Sequence, residues 1–75
     1  VDRDQREQRE QRYRFVAAGR EYHSGFGVGG PAEACGIARE AARKTPNVEH
    51  AVHERDGKLL AAYKLVAGRM TVRMP

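Results

Sequence analysis

Between Ser24 and Ala34 the chain reads SGFGVGGPAEA, with Gly25, Gly27, Gly29 and Gly30 close together and Pro31 directly after them. Glycine lets backbone approach a ligand closely, and the first N–H groups of a helix have no partner inside it. Such a run therefore gathers bare donors and partial positive charge at one spot. That is equipment for an anion, with Gly27, Gly29 and Gly30 as the residues whose amides would meet it. The same composition serves equally as a flexible strand-to-helix link. The link is the expected role, because no second motif accompanies the run.

The glycines satisfy the dinucleotide pattern G-x-G-x-x-G, but that fingerprint needs a parallel β-α-β unit and room for the second half of the ligand. The stretch from Ser24 to Gly29 also resembles the coenzyme A pyrophosphate loop of N-acetyltransferases, in which an R-G-x-G-V-G run joins a strand to a helix. Serine stands here where that family has its leading arginine. The resemblance implies a pyrophosphate contact through Gly27, Gly29 and Gly30, as in an acyl-coenzyme A-binding fragment. The family's strands before the loop and its substrate half do not fit a chain of 75 residues. No cofactor is expected.

His23, His50, His53, Glu49 and Glu54 are the groups suited to proton transfer. Small ribonucleases use histidine, arginine and carboxylates on a sheet, and Arg69 or Arg73 would suit a phosphorane. No spacing here joins a nucleophile, a base and a stabiliser, so an enzyme is not expected. His50 and His53 are three apart on a predicted strand and point to opposite faces, and Cys35 is the lone cysteine, so no metal set is expected. Cys35 falls in the first turn of a helix, where the dipole would make a thiol more reactive. It borders the apolar stripe and is read as a small buried hydrophobe.

The formal net charge is +4. Residues 1–12 form a triplet repeat, RDQ-REQ-REQ-R, in which four arginines cancel four acids, so the whole excess lies in 13–75. The repeat carries almost no apolar residue and reads as a charged arm, disordered or a frayed helix. The remainder is one small domain with a thin core. A single cysteine makes no internal disulfide, and no apolar run is long enough to span a bilayer, which together predict a cytoplasmic protein. Arginine outnumbers lysine eleven to three amid much alanine and glycine, a composition associated with GC-rich bacterial or phage genomes.

Alternation predicts a strand over Arg12 to Ala17, a turn at Ala18-Gly19, and a return strand over Arg20 to Phe26 with Tyr22 and Phe26 inward. A helix begins at Pro31, with Ala34, Ile37, Ala38 and Ala41 as its buried stripe, and stops after Arg43, Lys44 and Pro46. Val48 to Glu54 and Lys58 to Ala67 form a hairpin turned at Asp56-Gly57, and Ala67-Gly68 leads into Arg69 to Met74. The order β-β-α-β-β-β predicts an α+β fold, one helix on a mostly antiparallel sheet of four to five strands.

With Tyr13, Phe15, Leu59, Ala61, Tyr63, Leu65, Met70, Val72 and Met74 toward the helix, the open face carries Arg12, Arg14, Lys58, Lys64, Arg69 and Arg73. Val16, Leu60, Ala62 and Val66 lie between them. A one-residue slip reverses any strand's share. Basic groups among aliphatics predict a contact surface, foremost for nucleic acid, as in a small bacterial or phage-type accessory protein. The alternative is a protein-interaction or structural subunit using the same face or a sheet edge. Exposed Leu60 and Val66 predict a homodimer.

Overall fold

The computed structural model describes residues 12–75, so the arm at 1–11 lies outside the described residues. The chain runs β1 (Tyr13–Ala17), β2 (Arg20–His23), α1 (Pro31–Lys44), β3 (His50–Glu54), β4 (Leu59–Val66) and β5 (Arg69–Arg73). The strands form one antiparallel sheet in the order β2-β1-β3-β4-β5, and α1 packs across β3 and β4. This is the expected α+β architecture.

Local sequence accounts for the turns. Ala18-Gly19 and Ala67-Gly68 both have positive φ at each residue (50° and 76°, 51° and 78°), the type I′ geometry whose twist matches a two-residue hairpin. The β3–β4 turn is one residue longer than Asp56-Gly57 predicts: Gly57 N–H donates to Glu54 O and Glu54 N–H to Lys58 O. Gly57, at φ 94°, then supplies the left-handed residue of a three-residue loop. Helix α1 starts at Pro31, carries Glu33 in its first turn and ends on Arg43 and Lys44, each suited to the helix dipole at its end.

The return strand stops at His23 rather than reaching Phe26, which is 56% exposed. Side chains take the amides that a longer strand would pair. His23 Nδ1 accepts from Gly25 N–H at 2.9 Å, and Ser24 Oγ accepts from Phe26 N–H at 3.2 Å. Gly25 has φ +79°, and a Cβ on it would stand 2.7 Å from the Tyr13 carbonyl oxygen. Only glycine lets the chain leave the sheet this close to β1.

Phe15 and Val52 are the largest fully buried side chains, and Ala34, Ala38, Ala42 and Ala61 supply most of the remaining core. The buried stripe of α1 is thus Ala34, Ala38 and Ala42, rotated from the predicted one, with Ile37 and Ala41 half-buried. Methyl groups at i, i+4 and i+8 let the helix approach the sheet, while the bulkier Ile37 lies toward the flank over β2.

Two bulges change which way side chains point. The β1–β2 register shifts between Phe15 and Val16, leaving Tyr22 as the additional residue. Tyr22 and His23 consequently both contact the Phe15 ring, at centroid distances of 5.7 and 4.9 Å, although they are adjacent in sequence. A second shift, between Val52 and His53, leaves Leu60 additional on β4. Leu60 packs against the core and Leu59 pairs with His53, the reverse of the predicted assignment. An exposed Leu60 therefore gives no support to self-association.

Candidate nucleic-acid interface

On the side of the sheet away from α1, register aligns Val16, Ala51, Ala62 and Arg73 across four strands, with Arg14 beside His53, Lys64 beside Thr71 and Val66 beside Arg69. Ala51 and Ala62 form the floor of this face but are buried, at 8% and 1% exposed. Four of the six predicted cations, Arg14, Lys64, Arg69 and Arg73, surround that floor. Arg12 stands at the end of β1, where it shares a shallow hollow with Tyr13, Glu54, Arg55 and Asp56. Lys58 belongs elsewhere. The longer turn sets it opposite Glu54, and Glu54 pairs with Tyr13 on the helix side of the sheet.

Two acids share this face. Arg73 donates from Nη2 to Glu49 Oε1 at 2.8 Å and from Nε to Glu49 Oε2 at 3.2 Å, a two-point clasp. Hydrogen bonding from Arg73 outweighs the opposing effect of burial and, with smaller contributions from the charges of Arg73 and Lys64, holds the Glu49 carboxyl below its ordinary range. Arg14 donates from Nε to Glu21 Oε1 at 3.3 Å. An arginine has five N–H donors, so each guanidinium is oriented while keeping donors for a further anion. Glu49 is 24 residues from Arg73, and no local spacing announces the pair.

The glycine loop meets a carboxylate of its own. Gly29 N–H donates to Glu33 Oε2 at 2.6 Å, so one of the three amides proposed for an anion is already engaged. The spacing was a usable signal, since an acid three residues past the helix cap commonly reaches back to an amide before the first turn. Gly30, the cap, has φ −178°, and Gly27 has φ +77°.

The proton-transfer candidates are dispersed. His53 and Glu49 lie toward the open face and Glu54 on the helix side, while His23 and His50 line a groove of about 660 Å³ between β2 and α1 with Tyr22, Ile37, Glu40 and Lys44. His50, 4% exposed, donates from Nδ1 to Val48 O at 2.9 Å. His23 is bonded in the opposite sense, with Nδ1 as acceptor. Tyr22 donates from its hydroxyl to Ala51 O at 3.1 Å, and burial, with a contribution from Cys35, pushes that hydroxyl up. Burial and a hydrogen bond to Cys35 also push the Tyr63 hydroxyl up. Cys35 is half-buried against the core. Among the described residues no three His, Cys, Asp or Glu side chains gather as a metal site, and no helix is long and apolar enough to cross a membrane.

No known family matches the chain. Curated proteins and solved structures likewise give no match.

Proposed function

We propose that this protein binds the sugar-phosphate backbone of nucleic acid across the open face of its sheet. The observation that carries the reading is the placement of Arg14, Lys64, Arg69 and Arg73, from three strands, on one face of the sheet. Cations on several strands of one face supply the phosphate contacts that dominate such affinity. The described strands place no Phe or Tyr on this face, so readout by base stacking is not part of the proposal. Glu21 and Glu49 offset part of the charge of the arginines they pair with, while each fork retains unused donors for phosphate.

The test is fluorescence anisotropy with labelled single-stranded and duplex oligonucleotides, titrated across a salt series. The logarithm of affinity should fall linearly with the logarithm of salt, with a slope of about −0.7 to −0.9 per phosphate engaged. Replacing Arg69 and Arg73 together by alanine should flatten that slope by roughly one to two contacts. Salt-independent binding, or affinity unchanged in the double variant, removes nucleic acid from consideration and favours a protein partner at the same face.

A further inference from the structure

The two edges of the sheet are built differently. Strand β2 is four residues long, contains the bulge at Tyr22 and ends in side-chain contacts to its own loop. A short, bulged edge resists strand addition. Strand β5 pairs with β4 through five consecutive residues without a shift, and among the described residues nothing pairs with its outer side. The Ala67-Gly68 turn sets the phase of its hydrogen bonds. Residues flanking a two-residue type I′ turn are a bonded pair, so Arg69, Thr71 and Arg73 direct their backbone groups toward β4 and Met70 and Val72 direct theirs outward.

The helix-side surface of the same strand is also uncovered. Met70 and Val72 pair with Leu65 and Tyr63 on that surface, yet Val72 is 50% exposed and Met74, the next residue in the alternation, 63%. Helix α1 covers β3 and β4 and stops short of this edge. An unpaired ladder therefore runs beside an apolar stripe of its own.

We infer that β5 pairs antiparallel with β5 of a second copy of this chain, about a two-fold axis at Val72. Charge selects the register. An axis at Thr71 would set Arg69 opposite Arg73 twice, and like charges directly opposite oppose pairing. An axis at Val72 sets Thr71 opposite Arg73 and Met70 opposite Met74, and makes Val72 face its own counterpart in a bonded pair. The clasp on Glu49 draws the Arg73 side chain back over its own sheet, away from the junction. The contact closes after two copies because each edge is consumed. A two-fold axis perpendicular to the sheet also keeps both open faces on one side, so this inference extends the nucleic-acid surface without depending on it.

Met70 and Met74 are the chain's two methionines, which makes the test direct. Four residues apart along a strand they are separated by about 14 Å, too far for an NOE within one chain. In protein carrying ¹³C-methyl methionine, an NOE between the two methyl groups is expected, and light scattering should give a mass rising with concentration from 8.4 kDa toward twice that. Val72→Pro removes an outward N–H but none bonded to β4, and Val72→Lys adds charge at the axis. Both should abolish the NOE and hold the mass at the monomer value, with amide spectra of β3 and β4 showing the fold retained. A wild-type mass of 8.4 kDa at millimolar concentration overturns the inference. So does a dimer that survives both substitutions, or Met74 contacts to residues 1–11 of the same chain.

Discussion

The Glu33 carboxylate accepts a 2.6 Å hydrogen bond from the Gly29 amide, four residues back and just outside the helix. The anion that meets the glycine run is thus a side chain of the same protein. Glu33→Ala should lower stability by about 1 kcal/mol, read from urea unfolding, as loss of a helix-capping interaction does. Inorganic phosphate should leave the Tm of the wild type no higher than chloride at equal ionic strength. A phosphate-dependent rise would mean that an external anion displaces Glu33.

The connector role of the loop rests on Gly25. Gly25→Ala combines a left-handed φ with a 2.7 Å approach to the Tyr13 carbonyl, and should cost more than about 2 kcal/mol. Gly30→Ala, in extended backbone with nothing within 4 Å of the new methyl, should stay within about 0.5 kcal/mol. Equal losses at the two positions in chemical denaturation would contradict this account.

Glu49 restrains Arg73, and freeing the guanidinium should favour a polyanion. Glu49→Gln is expected to tighten oligonucleotide binding by about threefold to tenfold at low salt, with the gain shrinking as salt rises. The Glu49 carboxyl is lowered in the folded protein, so its pairing stabilises the fold above the ordinary carboxylate range and the effect is lost as pH falls through the lowered value. The stability difference between wild type and Glu49→Gln, measured across pH, should close on that acidic limb. Weaker oligonucleotide binding in the variant would mean that Glu49 orients Arg73 for its contact.

Ala18 and Ala67 hold a left-handed conformation, at φ 50° and 51°, that alanine disfavours. Ala18→Asn and Ala67→Asn should each raise stability by about 0.5–1 kcal/mol, because Asn-Gly is the preferred type I′ pair. Unchanged denaturation midpoints would show that the turns contribute little to the folding equilibrium.

A core of small residues around Phe15 has little reserve. Phe15→Ala should remove about 3–5 kcal/mol, comparable with the roughly 3–10 kcal/mol expected of a domain this size. Loss of dispersion in the amide spectrum at 25 °C is the expected result, and a cooperative native transition of ordinary midpoint would argue against this core.

Much of the fold was legible along the chain because its signals are local. Alternation marked β1, β4 and β5, Pro31 and the basic pair Arg43-Lys44 bounded the helix, and Ala18-Gly19 and Ala67-Gly68 marked the turns. Arg14, Lys64, Arg69 and Arg73 could be assigned to one face because β1 and β5 keep their period throughout and β4 keeps it beyond its bulge at Leu60. Tertiary structure decided the rest. Bulges at Tyr22 and Leu60 arise from pairing between strands, so no period within one strand reveals them, and they exchanged the faces of Leu59 and Leu60 and turned Tyr22 and His23 the same way. The longer β3–β4 turn moved Lys58 off the open face. Folding also brought Glu49 to Arg73 across 24 residues, because a sheet aligns residues by register rather than by sequence distance.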